Sequence, residues 1–136
     1  MLPIEQNEAA ARRCIELFNK RTLEWVDICY APNAEWIELP LPTSPAGQLG
    51  GRAFLRQVAQ RLLILFPDRQ MEILNLVTQG SQVVLELDWR GTAAASIGNI
   101  TAGLPVRFRV ATFLTFAEGL IVKHIDYCVL IPTNAA

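Results

Sequence analysis

The spacing of apolar residues changes at Pro67, and this change does most to limit the folds open to the chain. Before Pro67 the spacing is helical, most clearly in Arg52–Phe66, where the apolar side chains share one face. After Pro67 apolar and polar residues alternate, most clearly in Val83–Arg90. Helices followed by strands predict an α+β domain, with the helices packed on one face of a curved sheet.

Prolines, glycines and capping residues set the expected limits of the elements in the first half. Three prolines and three glycines in Pro40–Gly51 indicate a loop. Thr22 is a candidate N-cap, and Pro32-Asn33 is typical of a turn. The expected elements are helices over Glu5–Asn19, Thr22–Cys29 and Arg52–Phe66, and a short strand over Glu35–Leu39.

The second half has the pattern of strands joined by tight turns. Gly80-Ser81 and Glu118-Gly119 suit two-residue hairpins, and connections this short exclude the crossovers of parallel βαβ winding. Gly91–Pro105 carries no charge and is expected to be a loop or a loose hairpin tip. The expected strands are Met71–Thr78, Val83–Arg90, Val106–Phe116 and Leu120–Ile131.

The composition favours one globular domain, residues 1–136, with an apolar surplus. Of the 136 residues 51% are hydrophobic and 18% are charged, where a soluble domain usually carries about 25% charged residues. This balance excludes a disordered chain. The longest apolar run, Leu62–Phe66, is far below the ~20 residues of a membrane-spanning helix. The surplus predicts an apolar pocket, a buried subunit interface, or both.

Charge and cysteine content narrow the class of protein further. The net charge is −1 and no basic stripe is present, so nucleic-acid binding is not expected. Cys14, Cys29 and Cys128 are odd in number and far apart, which argues against a disulfide framework and against a metal site. Reduced thiols, and no visible secretory signal, indicate a cytoplasmic protein.

His124 and Asp126 are the best candidates for chemistry. Two residues apart in a strand, their side chains share one face and lie about 7 Å apart along the chain. Such a pair can act as a general acid and base, and burial of Asp126 would raise its pKa and suit it to proton abstraction. The common alternative is a solvated strand face. Val122 and Cys128 share the face, which favours an apolar setting.

Turn geometry predicts the neighbours of this pair on the preceding strand. A two-residue turn at Glu118-Gly119 places Phe113 opposite His124 and Arg109 diagonal to Asp126. Phe113, like Cys128, is then expected to line the pocket. Arg109 could then orient the carboxylate or bind an enolate oxygen. A turn one residue longer would place Val110 and Thr112 there instead.

Two tryptophans could line a pocket for a flat, partly aromatic ligand. Trp36 and Trp89 are large, and each has an N–H group that needs a partner. Core packing is the alternative for both. Glu38 shares the face of Trp36 and could supply a second polar group, or it could be exposed to solvent.

Several short motifs resemble those of SnoaL-like polyketide cyclases, a family of the nuclear transport factor 2-like superfamily. The resemblance extends from about Asn7 to Leu130, and the order and spacing of the motifs carry it. The motifs are Tyr30–Trp36, Gly50–Arg52, Phe66–Asp68, Val83–Trp89 with Gly91-Thr92, and Glu118–Asp126.

The resemblance implies a cone-shaped α+β fold of the cystatin-like type, with helices closing a bent mixed sheet around a cavity. It also implies homodimers formed through the sheet. Cyclases of this family close a ring by intramolecular aldol condensation, without cofactor or metal, and use a cavity aspartate as acid and base. Asp126 matches that position with His124 as its partner, and the implied ligand is a small hydrophobic molecule.

Other enzymes of similar fold fit the chain less well. The base of ketosteroid isomerase precedes the proline that ends the first strand, and Leu39 stands there in this chain. Limonene epoxide hydrolase uses an Asp-Arg-Asp set, and Arg109 and Asp126 have no clear second aspartate. A non-catalytic pocket protein that binds a small apolar ligand, or mainly dimerises, is the alternative to an enzyme.

Overall fold

The computed structural model describes residues 2–132; the remaining ends of the expected domain, Met1 and 133–136, lie outside the described residues. Within that range the chain forms three helices and six strands. The helices are α1 (Pro3–Asn19), α2 (Glu24–Cys29) and α3 (Arg52–Leu65). The strands are β1 (Tyr30–Glu38), β2 (Gln48–Gly51), β3 (Gln70–Gln79), β4 (Gln82–Thr92), β5 (Pro105–Ala117) and β6 (Leu120–Ile131).

The strands form one open mixed sheet in the order β2-β1-β6-β5-β4-β3. Only β1 and β6 are parallel to each other; the other neighbouring strands in residues 2–132 are antiparallel. The helices pack on one face of the sheet, with α1 against β3 and β4, and α3 against β1 and β2. The expected fold class, helices on a curved mixed sheet, is confirmed.

The first strand is longer than expected. The prediction of a turn at Pro32-Asn33 was wrong, because both residues lie within β1. Their part of β1 has no partner on β2, and the pairing with β6 is interrupted between Tyr30 and Glu35. A proline lacks the N–H that a ladder requires, so an unpaired stretch of strand accommodates it.

The expected loops are only partly loops. Pro40–Gly51 contains the short edge strand β2, which pairs with the end of β1. A side chain at Gly50 would place its Cβ 2.3 Å from Cδ2 of Phe54, so the close approach of α3 requires glycine. In the segment 93–104 an isolated bridge joins Ile97 to Ile100, and Ala93 and Ile100 are buried.

A β-bulge sets the register of β5 against β6. Ala117 pairs with Leu120 across a two-residue turn, in which Glu118 and Gly119 both have positive φ. The register then shifts between Thr115 and Phe116. The turn length was predicted correctly, but the bulge moves every earlier pair by one residue. No helix among residues 2–132 is long and apolar enough to cross a membrane.

Candidate functional site

A cavity of about 380 Å³ lies between the helices and the sheet. Its volume falls in the range of roughly 300–1,000 Å³ that is typical of small-molecule sites. Most of its lining is apolar, and polar side chains converge from β1, β2, β5 and β6. The apolar lining includes Ile15, Phe18, Leu55, Leu62, Leu85 and Leu87, and the polar lining includes Tyr30, Glu38, Gln48, Thr112, His124 and Asp126.

Asp126 is the most strongly hydrogen-bonded of the polar groups in the cavity. Thr112 Oγ1 donates to Oδ1 over 2.7 Å, and Trp36 Nε1 donates to Oδ2 over 3.3 Å. Oδ1 also lies 2.6 Å from His124 Nε2. The side chains of His124 and Asp126 are only 12% and 15% exposed. The carboxylate is therefore held in one orientation inside a largely apolar cavity.

The pKa of Asp126 differs in direction from the sequence-based expectation. Burial alone would raise the pKa of this carboxyl group, as expected. The charge of His124 and the three hydrogen bonds outweigh burial, and the pKa lies below its ordinary value of 3.8. The expectation of a net raised pKa was wrong, and Asp126 is ionised at neutral pH.

Tyr30 supports His124 from the other side of the imidazole ring. The phenol oxygen lies 2.6 Å from His124 Nδ1, and the two rings stack with centroids 5.8 Å apart. Burial, with further contributions from Cys14 and Asp126, raises the pKa of Tyr30 well above its ordinary value, so the phenol keeps its proton. In this arrangement Nε2–H donates to Asp126 Oδ1, and the Tyr30 hydroxyl pairs with Nδ1.

Glu38 lies next to Asp126 on the neighbouring strand. The two residues are direct partners in the β1–β6 pairing, and both side chains line the cavity. Gln48 Nε2 donates to Glu38 Oε1 over 2.9 Å. Burial is the largest cause of a raised pKa at Glu38; the Gln48 hydrogen bond and His124 oppose it, and the charge of Asp126 adds to it.

Most of the predicted pocket residues do line the cavity, together with His124 and Asp126. Trp36 contacts the carboxylate directly, while Trp89 lies at a different part of the lining, between the rings of Phe66 and Phe108. Cys128 follows Asp126 on the same face of β6. Period-two alternation was enough to predict that His124, Asp126 and Cys128 share a face. The prediction for Val122 was wrong, because the β-bulge leaves it without a partner on β5 and it does not line the cavity.

Arg109 and Phe113 do not belong to the cavity, and their predicted positions were wrong. Because of the β-bulge, Thr112 pairs with Asp126, and the odd-numbered residues of β5 face away from the helices. Arg109 Nη1 donates to Glu86 Oε2 over 3.2 Å on the outer face, and Phe113 packs against Tyr127 there. The expected contact of Arg109 with the carboxylate is therefore absent.

Tyr30 was not among the predicted site residues, and Thr112 was predicted near Asp126 only in the alternative register. Tyr30 had no pattern to reveal it, since the strand was expected to begin at Glu35. Thr112 would follow from the pattern only if the β-bulge were known. Among residues 2–132, no three His, Cys, Asp or Glu side chains cluster closely enough to hold a metal ion.

The sequence matches a family model, that of the SnoaL-like domain, over residues 11–124. No curated protein matches the chain. The family match covers α1 from Ala11 onward, α2, α3, β1 to β5, and β6 as far as His124.

Solved structures show the same fold at low sequence identity. AclR, a proposed hydroxylase from Streptomyces galilaeus, has a TM-score of 0.79 and 18% identity, over 95% of this chain and 82% of that one. IdmH, a proposed polyketide cyclase from Streptomyces antibioticus, has a TM-score of 0.77 and 24% identity, over 90% and 91%. A nuclear transport factor 2-like protein from Burkholderia pseudomallei has a TM-score of 0.75 and 20% identity, over 90% and 89%.

Proposed function

Since the chain belongs to the SnoaL-like domain family, as its motifs predicted, we propose that it is an acid/base enzyme. Its reaction begins with removal of a proton next to a carbonyl group of a hydrophobic substrate. The observation that carries the proposal is the carboxyl group of Asp126, oriented by three hydrogen bonds in an apolar cavity. Aldol ring closure on a cyclic or polyketide-like substrate is the reaction that fits this group best.

In the proposed step, Asp126 takes the proton from the carbon next to the carbonyl. The electron pair of the C–H bond passes into an enolate, which attacks a second carbonyl carbon of the same molecule and closes the ring. The π pair of that carbonyl moves to its oxygen, which takes up a proton. The hydrogen bonds from Thr112 and Trp36 lower the basicity of the carboxylate, but they also fix its direction. His124 stabilises the charge on Asp126 before the step and is in turn oriented by Tyr30.

The cavity indicates the shape of the substrate. Aromatic rings at Trp36 and Trp89 and aliphatic side chains between them suit a flat, largely apolar molecule. The step uses protein side chains alone, so no cofactor is required.

Asp126→Asn tests this proposal because it keeps the size of the side chain and removes its charge. A panel of cyclic and aryl ketones is incubated in deuterium oxide, and exchange of the protons next to the carbonyl is followed by NMR. Loss of general base catalysis should lower the exchange rate by about 10²- to 10⁴-fold. Asp68→Asn, an exposed carboxyl outside the cavity, is the control. Exchange by Asp126→Asn at the wild-type rate would exclude Asp126 as the base.

A non-catalytic ligand-binding protein is the second candidate. The three hydrogen bonds to Asp126 favour it, since a carboxylate whose hydrogen bonds are satisfied can be purely structural. In that case an apolar ligand would bind in the cavity, and wild-type protein would exchange no ketone protons above the buffer rate.

We also propose that the protein dimerises through the outer face of the sheet. Apolar residues on all six strands stand directly opposite one another there and form one row across the sheet. This outer apolar row consists of Leu49, Ile37, Ile125, Phe113, Val84 and Val77. Val77 is 56% and Leu49 67% exposed, so a partner would remove considerable apolar surface from water.

A further inference from the structure

We propose that Glu38 is a second catalytic residue: it donates a proton to the oxygen of the accepting carbonyl while Asp126 acts as base. The inference rests on the proposed function of Asp126. Two carboxyl groups side by side on one wall of the cavity would then have different roles, Asp126 as base and Glu38 as acid.

The pairing of β1 with β6 places the two carboxyl groups next to each other on the cavity side of the sheet. Glu38 and Asp126 are partners in a parallel pair, so their side chains leave the sheet on the same face. A hydrogen bond of 3.1 Å from Leu39 N to Asp126 O continues the ladder past Glu38 and fixes the end of β1. Both side chains line the same cavity, where one substrate can contact both.

The contacts of Glu38 leave one oxygen free for a substrate. Gln48 occupies Oε1, and Arg61 Nη2 in turn reaches Gln48 Oε1 at 3.5 Å. Oε2 accepts no hydrogen bond from any residue between 2 and 132, and it is not enclosed by protein. Asp126 is different, since both of its oxygens already hold donors. Glu38 is therefore oriented by the hydrogen bond at Oε1, and its Oε2 is available to a substrate.

The charges around the two carboxyl groups support opposite roles. Burial, the first cause, and the neighbouring Asp126 raise the pKa of Glu38, while His124 with the other donors lowers that of Asp126. Two carboxyl groups whose pKa values are moved apart can serve as acid and base at one pH. The other groups facing Glu38 are Gln48, Arg61 beyond it, and Cys128, whose thiol burial keeps protonated.

The proposed step balances in protons and electrons. Asp126 takes the proton from carbon, and the pair from the C–H bond forms the new C–C bond to the accepting carbonyl carbon. The π pair of that carbonyl moves to its oxygen, which takes the proton of Glu38. The product is a cyclic β-hydroxy ketone, with Asp126 protonated and Glu38 ionised. Proton transfer through solvent restores both groups.

Two reactions on one probe separate the two roles. The probe is an aryl diketone able to close a six-membered ring. Exchange of its protons next to carbonyl in deuterium oxide requires only the base, whereas ring closure, followed by the appearance of the cyclic product, also requires the acid. We expect Glu38→Gln to lower the ratio of the ring-closure rate to the exchange rate by about 10²-fold or more.

Two control variants show whether a loss of activity comes from the base, from the acid or from an unrelated change of charge. Asp126→Asn should lose both reactions, and Glu35→Gln, an exposed charge change on the same strand, should lose neither. Ring closure by Glu38→Gln at the wild-type rate, or equal loss of exchange and ring closure, would overturn the role of Glu38 and leave that of Asp126 intact. Full exchange by Asp126→Asn would overturn the proposed function instead.

The pH dependence of the two reactions distinguishes a catalytic role of Glu38 from a purely structural one. In wild type, ring closure should fall as pH rises and Glu38 ionises, while exchange should not fall. Glu38→Asp retains an acid and should keep this alkaline limb at a reduced rate, so it tests the inference even where Glu38→Gln folds poorly. An identical alkaline limb in exchange and ring closure would contradict the assignment.

Discussion

Tyr30, His124 and Asp126 form a hydrogen-bonded chain that links the buried start of β1 to the middle of β6. Its two members on β6 could be found from sequence, because alternation in a strand determines which side chains share a face. Tyr30 could not, because its contact joins residues 94 positions apart across a parallel pair. The direction of the pKa shift of Asp126 could not be predicted either, since it depends on hydrogen-bond donors that only the folded structure brings together.

Tyr30→Phe should weaken the fold and disturb the site. The substitution removes one hydrogen bond to His124 Nδ1 in a position that is 2% exposed. We expect a loss of about 1 kcal/mol in the free energy of unfolding, measured by urea denaturation. Ketone proton exchange should also fall, because His124 loses its orienting contact. Tyr127→Phe, at an exposed tyrosine of β6, is the matched control, and an equal loss there would contradict this account.

Glu38→Gln should stabilise the protein at neutral pH. The pKa of Glu38 is raised above its ordinary value of 4.5, so the folded state binds this proton more tightly than the unfolded state. Wild-type stability contributed by this group is therefore present below 4.5 and is lost as pH rises through the folded pKa. The melting temperature of Glu38→Gln should exceed that of wild type at pH 7, and the difference should shrink below pH 4.5. A difference independent of pH would contradict the raised pKa.

At the scale of elements, the limits of β3 to β6 were far more predictable than strand pairing. β6 has the bounds that its alternation indicated, Leu120–Ile131, and the turn before it has the expected length. The β-bulge in β5 and β6 has no local signal, yet it decides that Thr112 rather than Ala111 faces Asp126. The edge strand β2 was hidden because its glycines are typical of a loop.

Gly50→Ala tests whether close packing of β2 against α3 holds the cavity wall. An added Cβ would lie 2.3 Å from Phe54, whose ring packs 6.1 Å from that of Trp36. We expect a loss of about 1–3 kcal/mol in the free energy of unfolding, by thermal or urea denaturation. Gly51→Ala, where the nearest atom is 3.7 Å away, should cost less than about 1 kcal/mol, mainly through the N-cap of α3. Equal losses would contradict the packing argument.

At the scale of the molecule, the apolar surplus of the composition has two structural locations. One is the lining of the cavity, and the other is the outer apolar row. Composition indicated a pocket and an interface, but it could not locate either, because the β-bulge decides which residues of β5 face inward. Phe113 moved from the predicted pocket to the outer face for this reason.

Phe113→Lys tests the outer apolar row as a dimer interface. The new charge would lie in the middle of the row and would lose its water on association. We expect a dimer for wild type and a monomer for the variant in sedimentation velocity, with the melting temperature of the monomer little changed. Gln57→Lys, on the exposed side of α3, is the control and should remain dimeric. A wild-type monomer would exclude the proposed interface.

The pH dependence of ketone proton exchange, in wild type and in Asp126→Asn, tests the central claim most directly. An ionised base at Asp126 predicts that the wild-type rate falls to half its neutral value only below pH 3.8, because the pKa of this carboxyl lies below that value. Asp126→Asn should remain at the buffer rate throughout. A wild-type rate that falls already near neutral pH as the solution is acidified, or an Asp126→Asn rate equal to that of wild type, would contradict the account.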